Sequence, residues 1–353
     1  MMKTNAYAQA GVDIAAGERA VELMKADVAR THGPEVLGGI GGFAGLFDAA
    51  ALKAYDHPVL VTSTDGVGTK VALATALDQH DTIGFDLVGM LVDDLVVVGA
   101  KPLFVTDYIA CGAVVPERIA VIVKGIADAC LEAGAALVGG ETAEHPDLLD
   151  PLEYDVAGAT TGVVERAALL GPHRVQPGDR VLALASSGLH SNGYSLVRHL
   201  LRQTQCPLDR VVPEFGRTLG EELLTPTRVY AQRVLAAIAG HEVHAMSHIT
   251  GGGLAANLAR VIPGHLAAEV DRTTWTPPPV FAFLQHLGAL SDQDMESTLN
   301  MGVGFAVVLP AAALEPVRAA LAGQGVAAWD CGSVRPRAAD EAAVALVGRH
   351  QAG

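Results

Sequence analysis

The sequence alternates short β-branched runs with segments of helix length, and this alternation limits the possible folds more than any other feature. Apolar runs bounded by glycine or turn-forming residues predict strands at 59–62, 103–109, 136–139, 156–164, 181–185, 243–249, 304–309 and 327–334. Segments of helix length lie between them, at 82–99, 116–133, 194–201, 226–239, 253–261 and 311–322. Such alternation is typical of an α/β or α+β protein in which helices cover sheets.

Two halves of similar length are expected. The 353 residues are enough for two or three domains, and half of them are hydrophobic, so the chain can bury a sizeable core. Turn-forming residues are concentrated in the polar segment 170–179, and three consecutive prolines at 277–279 predict a loop. We therefore predict an N-terminal domain at 1–172 and a C-terminal domain at 173–353.

Charge and cysteine content exclude several classes of protein. The formal net charge of -15 argues against a surface built to bind nucleic acid or anionic lipid, so a polyanionic ligand has to be captured locally. The four cysteines are far apart and form no C-x-x-C pair, so neither a zinc site nor a disulfide framework is predicted. No apolar run has the length of a membrane span. We expect a soluble, cytoplasmic protein.

Two glycine-containing segments of the first half could bind phosphate. Glycine dominates 38–45, where backbone N–H groups could approach phosphate oxygens closely. The segment matches neither the P-loop nor G-x-G-x-x-G, and a flexible linker is the alternative. In 62–70, Asp65 leaves the end of a predicted strand, two glycines permit a tight loop, and Lys70 could meet an anion. The alternative there is an ordinary Asp-Gly turn with an exposed lysine.

Carboxylates of the first half could hold a cation. On a helix over 81–99, Asp86 and Asp93 fall about 20° apart, with Asp94 at the margin of their stripe. Carboxylates on an otherwise apolar helix are costly to bury without partners, and a divalent cation is one such partner. The alternative is the solvated stripe of an amphipathic helix. Glu141 follows a predicted strand and suits Mg²⁺, unless it is a surface residue of a Gly-Gly turn.

Two loops of the second half precede predicted helices and could bind an anion. Small hydroxyl residues and glycine are frequent in 186–193, and 250–253 is Thr-Gly-Gly-Gly. Free N–H groups and the helix dipole favour an anion at such positions, although Ser and Asn are also ordinary N-caps. His190 and His248, beside these loops, could transfer protons or be structural. Together the motifs indicate nucleoside triphosphate chemistry without a P-loop, on a phosphorylated substrate.

Ten segments, in order along the chain, match motifs of one known family. They are 10–14, 38–43, 64–70, 80–84, 94–97, 137–144, 154–158, 190–196, 249–253 and 300–304. Through them the sequence resembles the phosphoribosylformylglycinamidine cyclo-ligases, or aminoimidazole ribonucleotide synthetases, of purine biosynthesis. The resemblance implies a two-domain α+β fold with mixed sheets covered by helices, in a homodimer that joins its N-terminal sheets. It also implies an ATP- and Mg²⁺-dependent cyclisation of formylglycinamidine ribonucleotide to 5-aminoimidazole ribonucleotide, ADP and phosphate.

The resemblance also implies roles for individual residues. ATP would be bound by Lys25, Gly38, Gly39, Gly41, Gly42, Asp65, Gly68, Thr69, Lys70, Asp94 and Glu141. Mg²⁺ would be held by Asp65, Asp94 and Glu141. The ribonucleotide would be bound by His190, Ser191, Asn192, Thr250, Gly251, Gly252 and Gly253. Catalytic roles would fall to Lys70, Asp94 and His190.

Several positions depart from the family pattern. Asp93 stands where Asn is common, which adds a negative charge near the expected metal. Ser297, Leu299 and Met301 replace residues that are often Arg, Phe and Cys, so a phosphate contact from this segment is in doubt, and His-Pro-Asp at 145–147 replaces Met-Pro-Gly. Asp93 and Ser297 keep open the alternative of a nucleotide-binding scaffold without catalysis.

Other enzymes of the same superfamily are further alternatives. Selenophosphate synthetase usually needs a reactive Cys or selenocysteine in a glycine-rich N-terminal segment, and here no cysteine precedes Cys111. Thiamin-phosphate kinase and the hydrogenase-maturation dehydratase would not be expected to carry the motif at 190–196. The cyclo-ligase is therefore the function that the sequence favours.

Overall fold

The computed structural model describes residues 11–39 and 41–351. Ala10 of the motif 10–14 and Ile40 of the glycine segment lie outside the described residues. The N-terminal half contains a four-stranded sheet in the order β3-β6-β4-β5. Its strands are β3 Pro58–Gly66, β4 Lys101–Cys111, β5 Ala136–Glu144 and β6 Tyr154–Glu165. The pair β4–β5 is parallel and the other two pairs are antiparallel.

The C-terminal half contains a six-stranded sheet in the order β10-β12-β7-β13-β11-β14. Its strands are β7 Arg180–Ala185, β10 Ala245–His248, β11 Leu266–Asp271, β12 Val303–Leu309, β13 Ala328–Pro336 and β14 Val344–Val347. The pair β11–β14 is parallel and the other pairs are antiparallel. Two small hairpins complete the β-structure: β1 Val36–Leu37 with β2 Leu46–Phe47, and β8 Val211–Val212 with β9 Arg217–Thr218.

Helices cover both sheets. In the N-terminal half they are α1 Ile14–Ala29, α2 Val71–Leu77, α3 Ile83–Val96 and α4 Pro116–Ala133. In the C-terminal half they are α5 Tyr194–Thr204, α6 Leu219–Leu223, α7 Ala231–Ile238, α8 Gly253–Ala259, α9 Pro279–Gly288, α10 Asp292–Thr298 and α11 Ala311–Gly323.

The helix α3 lies between the two halves. It is apolar almost all round, and twelve of its fourteen residues are buried, as expected of such a helix. One side packs on the N-terminal sheet, where Gly158 and Gly162 leave room for the Leu91 and Leu95 side chains. The opposite side meets the C-terminal half, because a Cβ at Gly89 would lie 2.7 Å from the Thr227 side chain. Polar groups on this side of α3 therefore lie at the boundary between the halves.

The prediction of a two-domain α+β fold is confirmed. Each predicted strand and helix overlaps an observed one, whereas the two small hairpins, β11, β14, α1, α2, α6, α9 and α10 were not predicted. The three prolines at 277–279 end in α9, not in a loop alone, because a proline at the first helical position loses no hydrogen bond. All four cysteines are free thiols. Within the described ranges, no helix has the length and apolarity needed to cross a membrane.

Candidate functional site

A buried ion pair between Lys70 and Asp86 of α3 lies at the boundary between the two halves. Lys70 Nζ lies 2.7 Å from Asp86 Oδ1, and both side chains are fully buried. Two carbonyls of the C-terminal half accept the other ammonium hydrogens, His190 O at 2.9 Å and Thr225 O at 2.7 Å. Burial lowers the pKa of Lys70 and raises that of Asp86, and the attraction between the two groups opposes both shifts. All three donors of the ammonium are therefore used.

This geometry does not place Lys70 where it was predicted, at the phosphates of ATP. Its ammonium has no free hydrogen and no access to solvent. Moving it would leave Asp86 as an unpaired buried charge, which is strongly destabilising. Asp86 Oδ1 also accepts the N–H and the hydroxyl of Thr227, at 3.0 and 2.7 Å. Lys70 is thus a positioning residue that fixes the backbone of His190.

Asp93 has a different protein partner. Both carboxylate oxygens lie 3.1 Å from the Tyr230 N–H, at the N-terminus of α7, where the helix dipole favours a negative charge. Burial raises the pKa of Asp93 to about 7. Asp86 and Asp93 are both fully buried, so the interpretation as a solvated stripe is wrong for them. Their partners are protein groups: the Lys70 ammonium and Thr227 for Asp86, and the Tyr230 N–H for Asp93.

Asp94 faces the cleft between the halves and stays partly open to solvent. Its Oδ1 lies 2.9 Å from Nδ1 of His248, at the end of β10, and its side chain is 43% exposed. Partial burial raises the pKa of Asp65, at the end of β3, and repulsion from the nearby Asp94 acts in the same direction. Two neighbouring carboxylates whose charges repel each other are suited to a divalent cation.

The loop 186–193 packs against the N-terminal half at this cleft. Ser191 Oγ donates to Val67 O at 2.8 Å, and Asn192 Nδ2 lies 3.2 Å from Met90 Sδ. These side chains are therefore used at the boundary between the halves. Among the described residues, no acceptor lies within hydrogen-bonding distance of the Ser191 N–H, and α5, which follows directly, has no side-chain cap. An anion there would meet free N–H groups and the positive end of the helix dipole.

His190 lies in the same loop and is neutral at pH 7. Its backbone is left-handed, with φ 62°, and its ring is buried. Burial lowers its pKa well below the ordinary value, and the charges of His248 and Lys70 act in the same direction. Nε2 accepts the Ser187 N–H at 3.1 Å, so Nδ1 carries the proton. In the described part of the chain, Nδ1 has no partner.

The loop 250–253 meets the loop 186–193. A Cβ at Gly251 would lie 3.5 Å from Asn192 Oδ1. Asn257 Nδ2 donates to three carbonyls of the loop, at distances of 2.8 to 3.2 Å. The carbonyls are thereby turned inward, and no described residue accepts from the N–H groups of Gly251 and Gly252. The structure thus brings the two predicted substrate loops together.

The glycine segment lies at the other edge of the N-terminal sheet. A cavity of about 600 Å³ opens there between α1, α4, β5 and the β1–β2 hairpin. Its lining includes Gly38, Gly39, Gly41, Gly42 and Gly45, together with Asp107 and Glu141. Gly38 and Gly41 have φ values of 88° and 104° and open space at the Cβ position, so their backbone is accessible. Lys25 does not line this cavity, because it pairs with Glu22 on the surface of α1, at 2.5 Å.

The three predicted metal ligands do not meet within one chain. One row of paired residues crosses the sheet: Asp65, Gly158, Asp107 and Gly140. Neighbouring strands are about 4.8 Å apart, so Glu141, next to Gly140, is roughly 14 Å from Asp65. In the described ranges, no three acidic, histidine or cysteine side chains form a group that could hold a metal ion. Asp65 and Asp94 are near enough for their charges to interact, whereas Glu141 of the same chain lies too far from Asp65 to share a cation with it.

The departures from the family pattern have structural roles or none. Ser297 is exposed on α10, and its Oγ donates to Asp294 O at 3.2 Å. Leu299 is buried against the loop 186–193, since a Cβ at Gly193 would lie 2.3 Å from it. Met301 has φ 49°, and its carbonyl accepts the Trp275 indole N–H at 2.9 Å. None of the three positions places a cation in the cleft.

Two further residues belong to these sites. His248 was only one of two candidate histidines in the sequence, yet it holds Asp94, and its buried Nε2 has no partner among the described residues. Asp107 was overlooked because it lies inside an apolar predicted strand, 103–109. A lone carboxyl in such a strand is itself a signal, because burial without a partner is costly.

Comparisons with known proteins identify a two-domain family to which both halves of the chain are similar. The family "AIR synthase related protein" matches in both parts, its N-terminal domain at residues 47–164 and its C-terminal domain at 176–345. A phosphoribosylformylglycinamidine cyclo-ligase of Geobacillus sp. is 51% identical over 94% of this chain and 95% of its own. One from Xanthomonas oryzae is 48% identical over 95% and 98%.

Solved structures with a similar fold are more distant in sequence. Thiamine-monophosphate kinase of Stenotrophomonas maltophilia has a TM-score of 0.66 at 20% identity, covering 94% of this chain and 97% of its own. The hydrogenase maturation protein HypE of E. coli has a TM-score of 0.65 at 19% identity, covering 93% and 92%. These two share the fold. The chain belongs to the phosphoribosylformylglycinamidine cyclo-ligase family, as the sequence predicts.

Proposed function

We propose that the protein uses ATP to close the ring of 5-aminoimidazole ribonucleotide, starting from formylglycinamidine ribonucleotide. One observation carries the proposal beyond family membership. Asp94 of the N-terminal half contacts His248, beside the loop 250–253, and Ser191 of the loop 186–193 contacts Val67; both loops have N–H groups without an acceptor among the described residues. Carboxylates with a cation suit the triphosphate, and the loops suit a phosphorylated substrate.

The proposed reaction needs ATP because an amide oxygen is a poor leaving group. The formyl oxygen attacks the γ-phosphorus, the bond from phosphorus to ADP breaks, and the amide nitrogen loses its proton, which gives a phosphoryl imidate. A nitrogen of the amidine then attacks the imidate carbon, the carbon–oxygen bond breaks, and phosphate leaves with that oxygen while the nitrogen loses a proton. A proton then moves from the ring methylene to the exocyclic nitrogen, which gives the aminoimidazole. Holding both ends of the substrate supplies the proximity that ring closure requires.

The residues of the cleft would divide this work. Mg²⁺, when bound, would supply positive charge to the transferred phosphoryl group. Asp65 and Asp94 would hold it, and His248 orients Asp94. The N–H groups of Ser191 and Gly251 would bind the substrate phosphate. His190 would be neutral, and its buried Nδ1–H, which has no partner among the described residues, would make it a hydrogen-bond donor and not a general base.

We also propose that the active form is a homodimer in which each site uses both chains. On the face of the N-terminal sheet opposite α3, the described residues leave Leu60 and Tyr108 60% and 40% exposed. A second copy would cover this face. With the two-fold axis parallel to the strands, the β5 edge of one copy lies beside the β3 edge of its partner. Glu141 and the glycine cavity of one chain would then complete the cleft of the other.

Mixing two inactive variants tests this arrangement. Asp94→Asn and Glu141→Gln alter opposite edges of the sheet, so a mixed dimer would have one site with both changes and one with neither. When the two variants are co-expressed, we expect the mixed dimers to recover a substantial fraction of wild-type activity. Activity no higher than that of either parent variant would show that each site is built from one chain.

The main proposal is tested by substrate dependence. Purified protein is given ATP, Mg²⁺ and formylglycinamidine ribonucleotide, and release of ADP and of the aminoimidazole product is followed. We expect one ADP for each ring closed and negligible ADP without the ribonucleotide. ATP turnover that is indifferent to the ribonucleotide would exclude the ligase activity, and binding of ATP without any turnover would favour the inactive scaffold.

A further inference from the structure

The end of α10 and the residues that follow it, 296–300, contact both C-terminal loops of the cleft. A Cβ at Gly253 would lie 1.9 Å from the Glu296 carbonyl oxygen, so only glycine lets the loop 250–253 come this close. A Cβ at Gly193, the last residue of the loop 186–193, would lie 2.3 Å from the Leu299 side chain. The two loops therefore pack against one short segment.

Asn300 links the same segment to the loop 186–193 by hydrogen bonds. Its side chain is buried, and Nδ2 donates to Gly188 O at 2.9 Å. Its Oδ1 accepts the Gly302 N–H at 2.8 Å and the Ser186 hydroxyl at 3.3 Å. Because packing and hydrogen bonds both join the segment 296–300 to the loops, a displacement of the segment would move the loops with it.

An ion pair joins this segment to the edge of the C-terminal sheet. Arg272, which follows β11, donates through Nη1 to both carboxylate oxygens of Glu296, at 2.8 and 3.1 Å. The two side chains are only 19% and 14% exposed. The other guanidinium nitrogens donate to Val347 O at 3.3 Å and to Gly348 O at 2.5 Å, at the end of β14. The rigid guanidinium thus joins the sheet edge and α10 in one fixed geometry.

We infer that Arg272 and Glu296 are positioning residues that set the spacing between the two loops that bind the substrate phosphate. The inference rests on the proposed function, because it takes the Ser191 and Gly251 N–H groups as donors to one phosphate. Such donors lie about 2.7 to 3.2 Å from the acceptor, so a shift of about 1 Å in one loop weakens its hydrogen bond steeply. The ion pair would act through the backbone of 296–300 and not by contact with the substrate.

The alternative is that the ion pair only stabilises the C-terminal half, and a second ion pair of that half separates the two roles. Arg180 is the first residue of β7, and its Nη2 lies 2.5 Å from Asp330 Oδ2 in β13, at the end of β7 remote from the loop 186–193. Arg272→Met and Arg180→Met each remove the guanidinium from such a pair. Amide hydrogen exchange of the full-length variants is followed by mass spectrometry, together with the steady-state KM for each substrate.

The two variants should differ at the loops. We expect Arg272→Met to speed exchange of the hydrogen-bonded N–H groups in both loops about tenfold, and to raise the KM for the ribonucleotide by a similar factor. The KM for ATP should stay within about twofold of wild type. Arg180→Met should lower Tm and produce neither effect, because its ion pair has no contact with the segment 296–300.

The outcomes distinguish this inference from the proposed function. Wild-type exchange in both loops of a folded Arg272→Met, or the same changes in Arg180→Met, would overturn the inference. If the wild type does not close the ring, the proposed function fails, and hydrogen exchange still tests whether the ion pair positions the loops. Should Arg272→Met not fold, Glu296→Gln, which removes the charge and keeps the side-chain volume, is measured instead with the same expected results.

Discussion

The acidic groups at the two edges of the N-terminal sheet have contrasting surroundings. Beside the β3 edge, Asp86 is bonded to Lys70 and Thr227, and Asp93 to the N-terminus of α7. At the β5 edge, Asp107 and Glu141 line a cavity without a cationic partner among the described residues. Burial of a carboxylate is therefore not evidence of a metal site in this chain. What separates structure from function is whether the protein itself supplies the partner.

Asp94 stands between these two cases. It lies on the same helix as Asp86 and Asp93, yet it has one histidine contact and an open side. The buried carboxylates hold the two halves together at fixed positions, and this rigidity keeps Asp94, Asp65 and the C-terminal loops at one cleft.

Breaking the ion pair should cost stability more than affinity for ATP. In Lys70→Met, the charge of Asp86 stays buried without its partner, and we expect a loss of about 3 to 5 kcal/mol in the free energy of unfolding. Urea denaturation of the full-length protein measures it. The double variant Lys70→Met/Asp86→Leu should recover part of the loss, because no uncompensated charge remains. If Lys70→Met is as stable as wild type but does not bind ATP, Lys70 contacts the phosphates of ATP, as the sequence predicted.

Two adjacent carboxylates of α3 should behave differently. Asp94→Asn is expected to lower kcat/KM by about a hundredfold, since a positioned charge in the site is lost, with only a small change in Tm. The matched control Asp93→Asn keeps an acceptor for the Tyr230 N–H and should retain most of the activity. Steady-state kinetics and thermal melts of both variants decide the matter. Equal losses of activity and stability in Asp94→Asn would make Asp94 structural.

The C-terminal loops should affect the ribonucleotide and not ATP. Gly193 has φ 81°, and a Cβ there would lie 2.3 Å from the Leu299 side chain, so Gly193→Ala shifts the start of α5. We expect the KM for the ribonucleotide to rise about tenfold, the effect of losing about one charge-assisted hydrogen bond. Gly240→Ala carries similar backbone strain, with φ 78° and open space, away from the cleft. If Gly193→Ala weakens the binding of ATP and not that of the ribonucleotide, this loop belongs to the ATP site.

The smallest effect is expected at the glycine segment. Gly41 has φ 104° with open space around it, so Gly41→Ala adds backbone strain and no clash. Strain of about 1 kcal/mol should raise the KM for ATP a few-fold and leave the ribonucleotide KM unchanged. Gly178→Ala, with φ 92° and open space in a turn of the C-terminal half, is the control. If both glycine variants have the wild-type KM for ATP, the segment is a linker and not a phosphate loop.

Much of the fold could be predicted from local pattern. The strands β3, β4, β5, β6, β7, β10, β12 and β13 are apolar runs with turn residues at their ends, and α4 begins at a proline and ends at a glycine. The strand β11 was harder, because alanine and polar residues dilute its pattern, and β14 is only four residues long. The helix α9 was not predicted because proline is unfavourable inside a helix, although it is tolerated at the first helical position.

The sequence indicated which residues form the candidate site, but not which groups each of them contacts. The periodicity of α3 placed Asp86 and Asp93 on one face, yet it could not show that Lys70 and the start of α7 would meet them, since these contacts join residues 16 and 137 positions apart. For the same reason, the sequence could not show that Asp65 and Glu141 lie at opposite edges of the sheet. Strand order and helix placement decide such distances, and local pattern does not encode them.

The central claim is that this cleft activates the formyl oxygen of the substrate by phosphorylation. Formylglycinamidine ribonucleotide labelled with ¹⁸O in the formyl group is converted with unlabelled ATP in unlabelled water, and the inorganic phosphate is analysed by mass spectrometry. We predict that each phosphate carries one ¹⁸O atom, because the oxygen leaves the substrate with the transferred phosphoryl group. Unlabelled phosphate, with the ¹⁸O released as water, would contradict the account.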